Sequence, residues 1–130
     1  MTTKARTAAE LVAEAKKDIE NLSVEEVAAE LASGDAVLVD IRESEERVQN
    51  GFIQEALHLP RGMLEFYADP TSPYHRSELQ PDKRVILHCA GGGRSALAVH
   101  SLRELGYSKV AHLDGGIGAW TAAGHPVQKP

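Results

Sequence analysis

The run Arg84-Val85-Ile86-Leu87-His88-Cys89-Ala90-Gly91-Gly92-Gly93-Arg94-Ser95 holds the organising pattern of this chain. Residues 84–88 are an apolar, partly β-branched run, which suits a strand covered on both faces, as in a parallel sheet. Glycines 91–93 end the run. From Ser95, Leu97, Ala98, Leu102 and Leu105 recur at helical spacing until Gly106 closes the segment. A strand, a tight loop and a helix in this order mark the place where open α/β sheets bind ligands, beyond a strand's C-terminal end. Cys89 stands at that point.

The pattern repeats outward in both directions. Upstream, Ala36 to Val39 is a second buried-strand run. It follows a helix that starts at Ser23, where Glu26 completes a capping box, buries Val24, Val27, Ala28 and Leu31, and stops at Gly34. Glu43 to Asn50 has a helical look and ends at Gly51. Ala56 to Leu59 is a short strand closed by Pro60. Downstream, Val110 to Leu113 is a further strand. Asp114-Gly115-Gly116 then turns the chain into a short helix around Trp120, ended by Gly124 and Pro126. Residues 62–81 are irregular, broken by Pro70 and Pro73. Their Met63, Leu64, Phe66, Tyr67 and Tyr74 either fold over the mouth of the Cys89 site or pack on the sheet. Strands alternating with helices define an α/β fold with a mostly parallel sheet.

Ala8, Leu11, Val12, Ala15 and Ile19 predict a helix over about 8–20, after a frayed stretch at 1–7. It either packs on the domain or offers a partner surface, a homodimer contact being one form of this. The chain divides into an N-terminal extension, 1–21, mostly helix, and a single domain, 22–130.

A chain of 130 residues is long enough for a hydrophobic core without disulfides or a structural metal. Its formal net charge of -5 argues against bulk affinity for nucleic acid or anionic membranes. No apolar run approaches a membrane span, and residues 1–13 lack the apolar centre of a signal peptide. A reducing cytoplasm is the expected setting. With one cysteine, no disulfide forms within the chain, and any thiol chemistry must end on an external acceptor. The histidines show no metal-ligand spacing, and no phosphate-binding loop or dinucleotide fingerprint is present, so neither metal nor cofactor is expected. His88 should point away from Cys89, because neighbours in a strand face opposite sides, and it reads as a satisfied sheet residue. His58, before Pro60, is the histidine best placed to line the pocket. Glu43, Glu45 and Glu46 read as a solvated helix face, and Trp120 as a core anchor.

Three effects converge on the Cys89 sulfur. The helix beginning near Arg94 directs unsatisfied N–H groups and its positive end at the loop. Glycines 91–93 let successive amides turn inward as an anion nest. Arg94 adds a guanidinium that stays charged. Such settings lower a thiol's pKa from about 8.5. Cys89 and Arg94 are therefore the candidate catalytic residues, with Ala90, Gly91, Gly92, Gly93 and Ser95 as the binding loop. Three consecutive glycines, each costing about 0.5–1 kcal/mol in backbone entropy, are easier to understand if amides must face a ligand.

The loop Cys89-Ala90-Gly91-Gly92-Gly93-Arg94-Ser95 resembles the active-site loop of the rhodanese family of sulfurtransferases. Asp40-Ile41-Arg42 resembles the family's Asp-x-Arg. Gly51-Phe52-Ile53-Gln54-Glu55-Ala56 matches part of its Gly-His-Ile-x-Gly-Ala segment, with Phe52 and Glu55 as departures. Gly115-Gly116, Trp120 and Gly124-His125-Pro126 match its C-terminal signature. The resemblance spans about residues 22–127. It implies a five-stranded parallel sheet flanked by helices, and a two-step transfer of sulfane sulfur through a Cys89 persulfide. The donor would be thiosulfate or a persulfide, and the acceptor a thiol, cyanide or a protein. It also implies that Asp40 and Arg42 lie near the loop in a supporting role. Ala90 is uncharged where relatives active on thiosulfate carry basic residues, which points to weak capture of free thiosulfate. A non-enzymatic persulfide carrier or docking module is the alternative. A phosphatase or arsenate reductase is less favoured, since those relatives place one more residue between Cys and Arg.

Overall fold

The computed structural model describes residues 4–130, so the first three residues of the N-terminal extension, and of its expected frayed stretch, lie outside the described residues. The elements run α1 (Ala8–Ala15), β1 (Asn21–Leu22), α2 (Val24–Ser33), β2 (Ala36–Asp40), α3 (Ser44–Asn50), β3 (Leu57–His58), α4 (Leu64–Ala68), β4 (Arg84–His88), α5 (Gly93–Glu104), β5 (Val110–Leu113) and α6 (Gly116–Ala122). The strands form one five-stranded sheet in the order β1-β5-β4-β2-β3, and every pairing is parallel. This is the α/β architecture expected, with the strand that precedes Cys89 at the centre.

The sheet has an apolar layer on each face, and the period of two in its strands decides which residue serves which layer. Val85, Leu87 and Cys89 pack with Val39, Ile41, Val110 and the α5 residues Ala98, Val99 and Leu102. Ile86 packs on the other side with Leu38, Ala111, Leu113, Val27 of α2, and Ile117 and Trp120 of α6. Ser23 caps α2 through the reciprocal Glu26 bond, and Gly34 ends it in the left-handed conformation, φ +79°. Trp120 anchors α6 and donates its ring N–H to Pro126 O at 2.9 Å.

Three elements differ from expectation. The N-terminal helix ends at Ala15 and tightens into a 3-10 turn over Lys16–Asp18. The Asn21 side-chain amide donates to Lys16 O at 2.9 Å and Ile19 O at 3.2 Å, bending the chain into β1. That two-residue strand has no local signature, since its pairing is with β5, some ninety residues on. Helix α5 begins at Gly93 rather than Ser95, which brings its first turn closer to the sulfur. Helix α1 itself lies on α5, with Val12 beside Gly93 and Ala15 O bonded to His100 Nε2 at 3.2 Å. The 62–81 segment packs on the sheet through Leu64, Ala68 and Leu79, and Tyr107 donates to Ala68 O at 2.7 Å.

Candidate active site

Cys89 lies immediately beyond the end of β4 with 1% of its surface exposed. Its Sγ receives the Gly92 N–H at 3.1 Å and sits 3.5 Å from Ser95 Oγ. Burial pushes the thiol pKa up. The Ser95 hydroxyl and the Ser95, Gly92 and Gly91 amides push it down and prevail, so the group lies below its ordinary value.

The amides face the sulfur because the opposite edges of the loop peptides are held by α6. Ile117 N donates to Cys89 O at 3.0 Å and Gly118 N donates to Ala90 O at 3.1 Å. This accounts for Gly115-Gly116. A Cβ on Gly116, φ +60°, would stand 2.5 Å from both Cys89 O and Ala90 O. Within the triple glycine, only Gly92 has positive φ, +99°, and a Cβ there would approach Gly115 N at 3.0 Å. Gly91 faces open space and Gly93 is ordinary helix. Gly116→Ala is therefore expected to lose at least about 1–2 kcal/mol from the left-handed backbone alone. It should also displace the loop, read as a lower Tm together with slower alkylation of Cys89.

Arg94 does not turn into the nest as a free cation. Its guanidinium makes a two-pronged pair with Glu46 on α3, at 2.8 Å for each bond. The Arg94 bonds are the main cause that takes the Glu46 pKa down to about 2, against the effect of partial burial. The Arg94 pKa is raised mainly by Glu46, with burial opposing and the Cys89 charge adding to it. Arg94 thus braces α5 against α3 within electrostatic reach of the sulfur. Glu46 is the correction here: it is a partner of the loop, not part of a solvated face. Arg94→Ala is expected to lower turnover by about ten- to a hundredfold, the scale of lost positioning. The fold should hold, because a half-exposed pair contributes about 1 kcal/mol or less. Steady-state rates and thermal melts check both halves.

Asp40 and Arg42 are brought together, but as a buried pair behind the loop. Arg42 Nε and Nη2 donate to the two Asp40 oxygens at 3.0 and 2.9 Å, and Nη2 also donates to Gly51 O at 2.9 Å. Both side chains are at most 1% exposed. No loop amide reaches Asp40. The link to the site is through the sheet, where Ile41 N donates to His88 O at 3.0 Å. His58 also departs from expectation. Its Nε2 bonds Arg42 O at 2.8 Å, and it lines a surface hollow with Arg47, Val48 and Phe52 whose lining does not include Cys89. Phe52 lies under the Arg47 guanidinium, 4.5 Å from the ring centre. His88 points to the sheet face opposite Cys89, as its parity requires. Its Nδ1 bonds Cys89 O at 3.1 Å, while Nε2 has no hydrogen-bond partner and lies 3.7 Å from Asp40.

Sequence reasoning passed over His112 and Asn21. Ser95 Oγ and His112 Nδ1 are 2.8 Å apart, and His112 Nε2 is 2.8 Å from Asn21 Oδ1. The only available signal was parity: His112 alternates with Ala111 and Leu113 and so must face the Cys89 side. Among the described residues, no cluster of His, Cys, Asp and Glu is suited to a metal ion, and no helix is long and apolar enough to cross a membrane.

Fold and site together define a class: parallel α/β domains in which a cysteine at the end of a central strand is cradled by backbone amides. A family model for the rhodanese-like domain matches residues 23–123. A protein named sulfurtransferase from Allochromatium vinosum is 38% identical over 96 residues, 74% of this chain and 81% of its own length. The mitochondrial protein HIGH ARSENIC CONTENT 1 of Arabidopsis thaliana is 30% identical over 88% of this chain and 69% of its own. A solved structure from Rhodopseudomonas palustris, of unknown function and described as a possible tyrosine phosphatase, superposes with a TM-score of 0.88 at 42% identity over 98% of each chain. The chain belongs to the rhodanese-like domain family.

Proposed function

We propose that this protein is a sulfurtransferase in which Cys89 carries sulfane sulfur as a persulfide. The Cys89 thiolate attacks the outer sulfur of thiosulfate or a persulfide donor. The donor's sulfur–sulfur bond breaks, and its electron pair leaves on sulfite or on the donor thiolate. A thiolate, cyanide or a protein thiol then attacks the outer sulfur, and Cys89 departs as thiolate. Splitting the transfer in this way replaces one difficult step by two easier ones.

The observation that carries this reading is the sulfur in its amide cradle, with Gly92 N–H at 3.1 Å and a thiol pKa held below its ordinary value despite burial. The same donors stabilise the anion that leaves and returns in each half-reaction. Ala90 is exposed and uncharged beside the site, which favours a persulfide donor over free thiosulfate. The proposed setting is a reducing cytoplasm, where thiol acceptors abound.

The Rhodopseudomonas protein's description raises oxyanion chemistry as a second reading. Two observations weigh against it. Four residues separate Cys89 from Arg94, and the Arg94 guanidinium is committed to Glu46 and not turned toward the sulfur.

Intact-mass measurement after incubation with thiosulfate, and separately with a persulfide donor, tests the proposal. The expected result is a gain of one sulfur atom, larger in yield with the persulfide, discharged by cyanide or thiol with repeated turnover. Loading and discharge without turnover would make the protein a carrier. No loading together with hydrolysis of an aryl phosphate would overturn the sulfur reading.

A further inference from the structure

Hydrogen-bond directions around Ser95 are fixed by residues far from it. The Asn21 amide nitrogen donates to Lys16 O and Ile19 O, so its oxygen is the atom facing His112 Nε2 at 2.8 Å. An amide oxygen only accepts, so Nε2 must carry the hydrogen. His112 Nδ1 is then a bare lone pair, and the Ser95 hydroxyl donates to it at 2.8 Å. The Ser95 oxygen keeps its own lone pairs for the Cys89 thiol at 3.5 Å. Ser95 and His112 are both fully buried. An uninterrupted line of donors thus runs from the nucleophile to the edge strand.

We propose that Ser95, His112 and Asn21 form a relay that takes up the Cys89 proton. The step balances within the molecule. The thiol proton moves to Ser95 Oγ as the hydroxyl proton moves to His112 Nδ1, and the electron pair of the S–H bond stays on sulfur. The products are a thiolate that accepts from Ser95 and an imidazolium whose two N–H groups donate to Ser95 Oγ and Asn21 Oδ1. The proton returns by the same line when the resting thiol reforms. His112 touches neither sulfur nor substrate, and acts as a positioning residue through Ser95. Asn21 fixes its tautomer, as the third member of a catalytic triad does.

The charges around His112 set the balance of this step. Burial lowers its pKa to about 4. Asp114, at the end of its own strand, works against that effect, and Lys16, from the turn after α1, adds to it. Lys16 and Asp114 are themselves paired at 2.9 Å. The imidazole is therefore neutral at working pH but a weak base, so the transfer depends on the thiolate it leaves one hydroxyl away, whose negative charge favours the protonated ring. Asn21 and Lys16 lie before the span matched by the family model, 23–123, so the outer end of the relay comes from the N-terminal segment.

The inference rests on Cys89 being the nucleophile of the proposed sulfur transfer, yet it can be tested without sulfur. His112→Asn keeps an acceptor near the Nδ1 position but no base. Iodoacetamide alkylation of Cys89 followed by mass from pH 5 to 9 should show the apparent thiol pKa rising by about one unit in this variant and in Ser95→Ala. Alkylation near neutrality would then be about tenfold slower, with the limiting rate at high pH retained. Long-range ¹H–¹⁵N correlation on the wild type needs no variant to fold. It should show the Nε2–H tautomer of His112, and a titration midpoint that moves when Cys89 is replaced by Ala. An Nδ1–H tautomer, or superimposable alkylation profiles for wild type and a folded His112→Asn, would overturn the relay. If those profiles coincide while sulfur uptake persists, only the relay falls. If wild type alkylates along the expected profile but takes up no sulfur, the relay stands and the transferase reading falls.

Discussion

Cys89→Ser should abolish sulfur loading altogether and reduce turnover by at least about a thousandfold, the scale on which loss of a covalent nucleophile is felt. With one cysteine in the chain, no neighbouring thiol can take over. A hydroxyl in the same cradle would still receive the Gly92 amide, so geometry is preserved while nucleophilicity is lost. The fold should be little affected, since serine is smaller and the site already offers Ser95 Oγ and the loop amides as partners. The measurement is paired: intact mass with and without donor, and a thermal melt. Sulfur retained on the Cys89→Ser protein would place the chemistry on another residue.

Asp40→Ala should carry the largest stability effect, about 3–5 kcal/mol, because it strands a buried guanidinium. Arg42 is 1% exposed, and without Asp40 it retains only Gly51 O as a strong acceptor. Arg47, 3.5 Å from the same carboxylate, loses its nearest counter-charge as well. Against a typical domain stability of about 5–15 kcal/mol, this lowers Tm by more than about 10 °C.

The pH dependence of stability follows from the same cluster. Burial raises the Asp40 pKa, but the Arg42 bonds and the nearby His88 and Arg42 charges lower it further, so the net direction is down. Its stabilisation is present above the unfolded value of about 3.9 and is lost as pH falls through the folded value. Burial lowers the His88 pKa, against the nearby Asp40 charge, which raises it. Below about 6.5 the unfolded chain gains that proton first, and stability declines from there. Wild type should weaken in two stages on acidification, and Asp40→Ala should show a smaller loss below about pH 4, where Glu46 still contributes its own. Chemical denaturation at a series of pH values reads both stages.

Much of this was legible in the sequence. Residues 36–39, 84–88 and 110–113 declared themselves as buried strands, because a strand covered on both faces has no polar side to show. The Ser23 capping box, Gly34 and the Cys89 loop announced themselves through local chemistry, which needs only a few neighbouring residues. What escaped was set by distant partners. Glu46 looked solvated because Arg94, which it meets, lies 48 positions on. His112 looked unremarkable because its partners, Asn21 and Ser95, lie 91 and 17 positions away. Asp40 and Arg42, expected beside the loop in a supporting role, are instead paired with each other. Where that pair sits depends on sheet register, Asp40 beside His88, which no local pattern fixes.

The strand order bears on how the molecule breathes. Cys89 follows β4, hydrogen-bonded on both sides, whereas β1 is a two-residue edge strand paired on one side. Amide protons of β4 are expected in the most protected class, exchanging only on global opening, while β1 is expected to fray in small local excursions. Each such excursion would unlatch Asn21 from the imidazole and leave the strand before the sulfur undisturbed. A peripheral flicker, reported by fast exchange at residues 21–22, can thus modulate the acidity of a thiol seated in the stiffest part of the sheet.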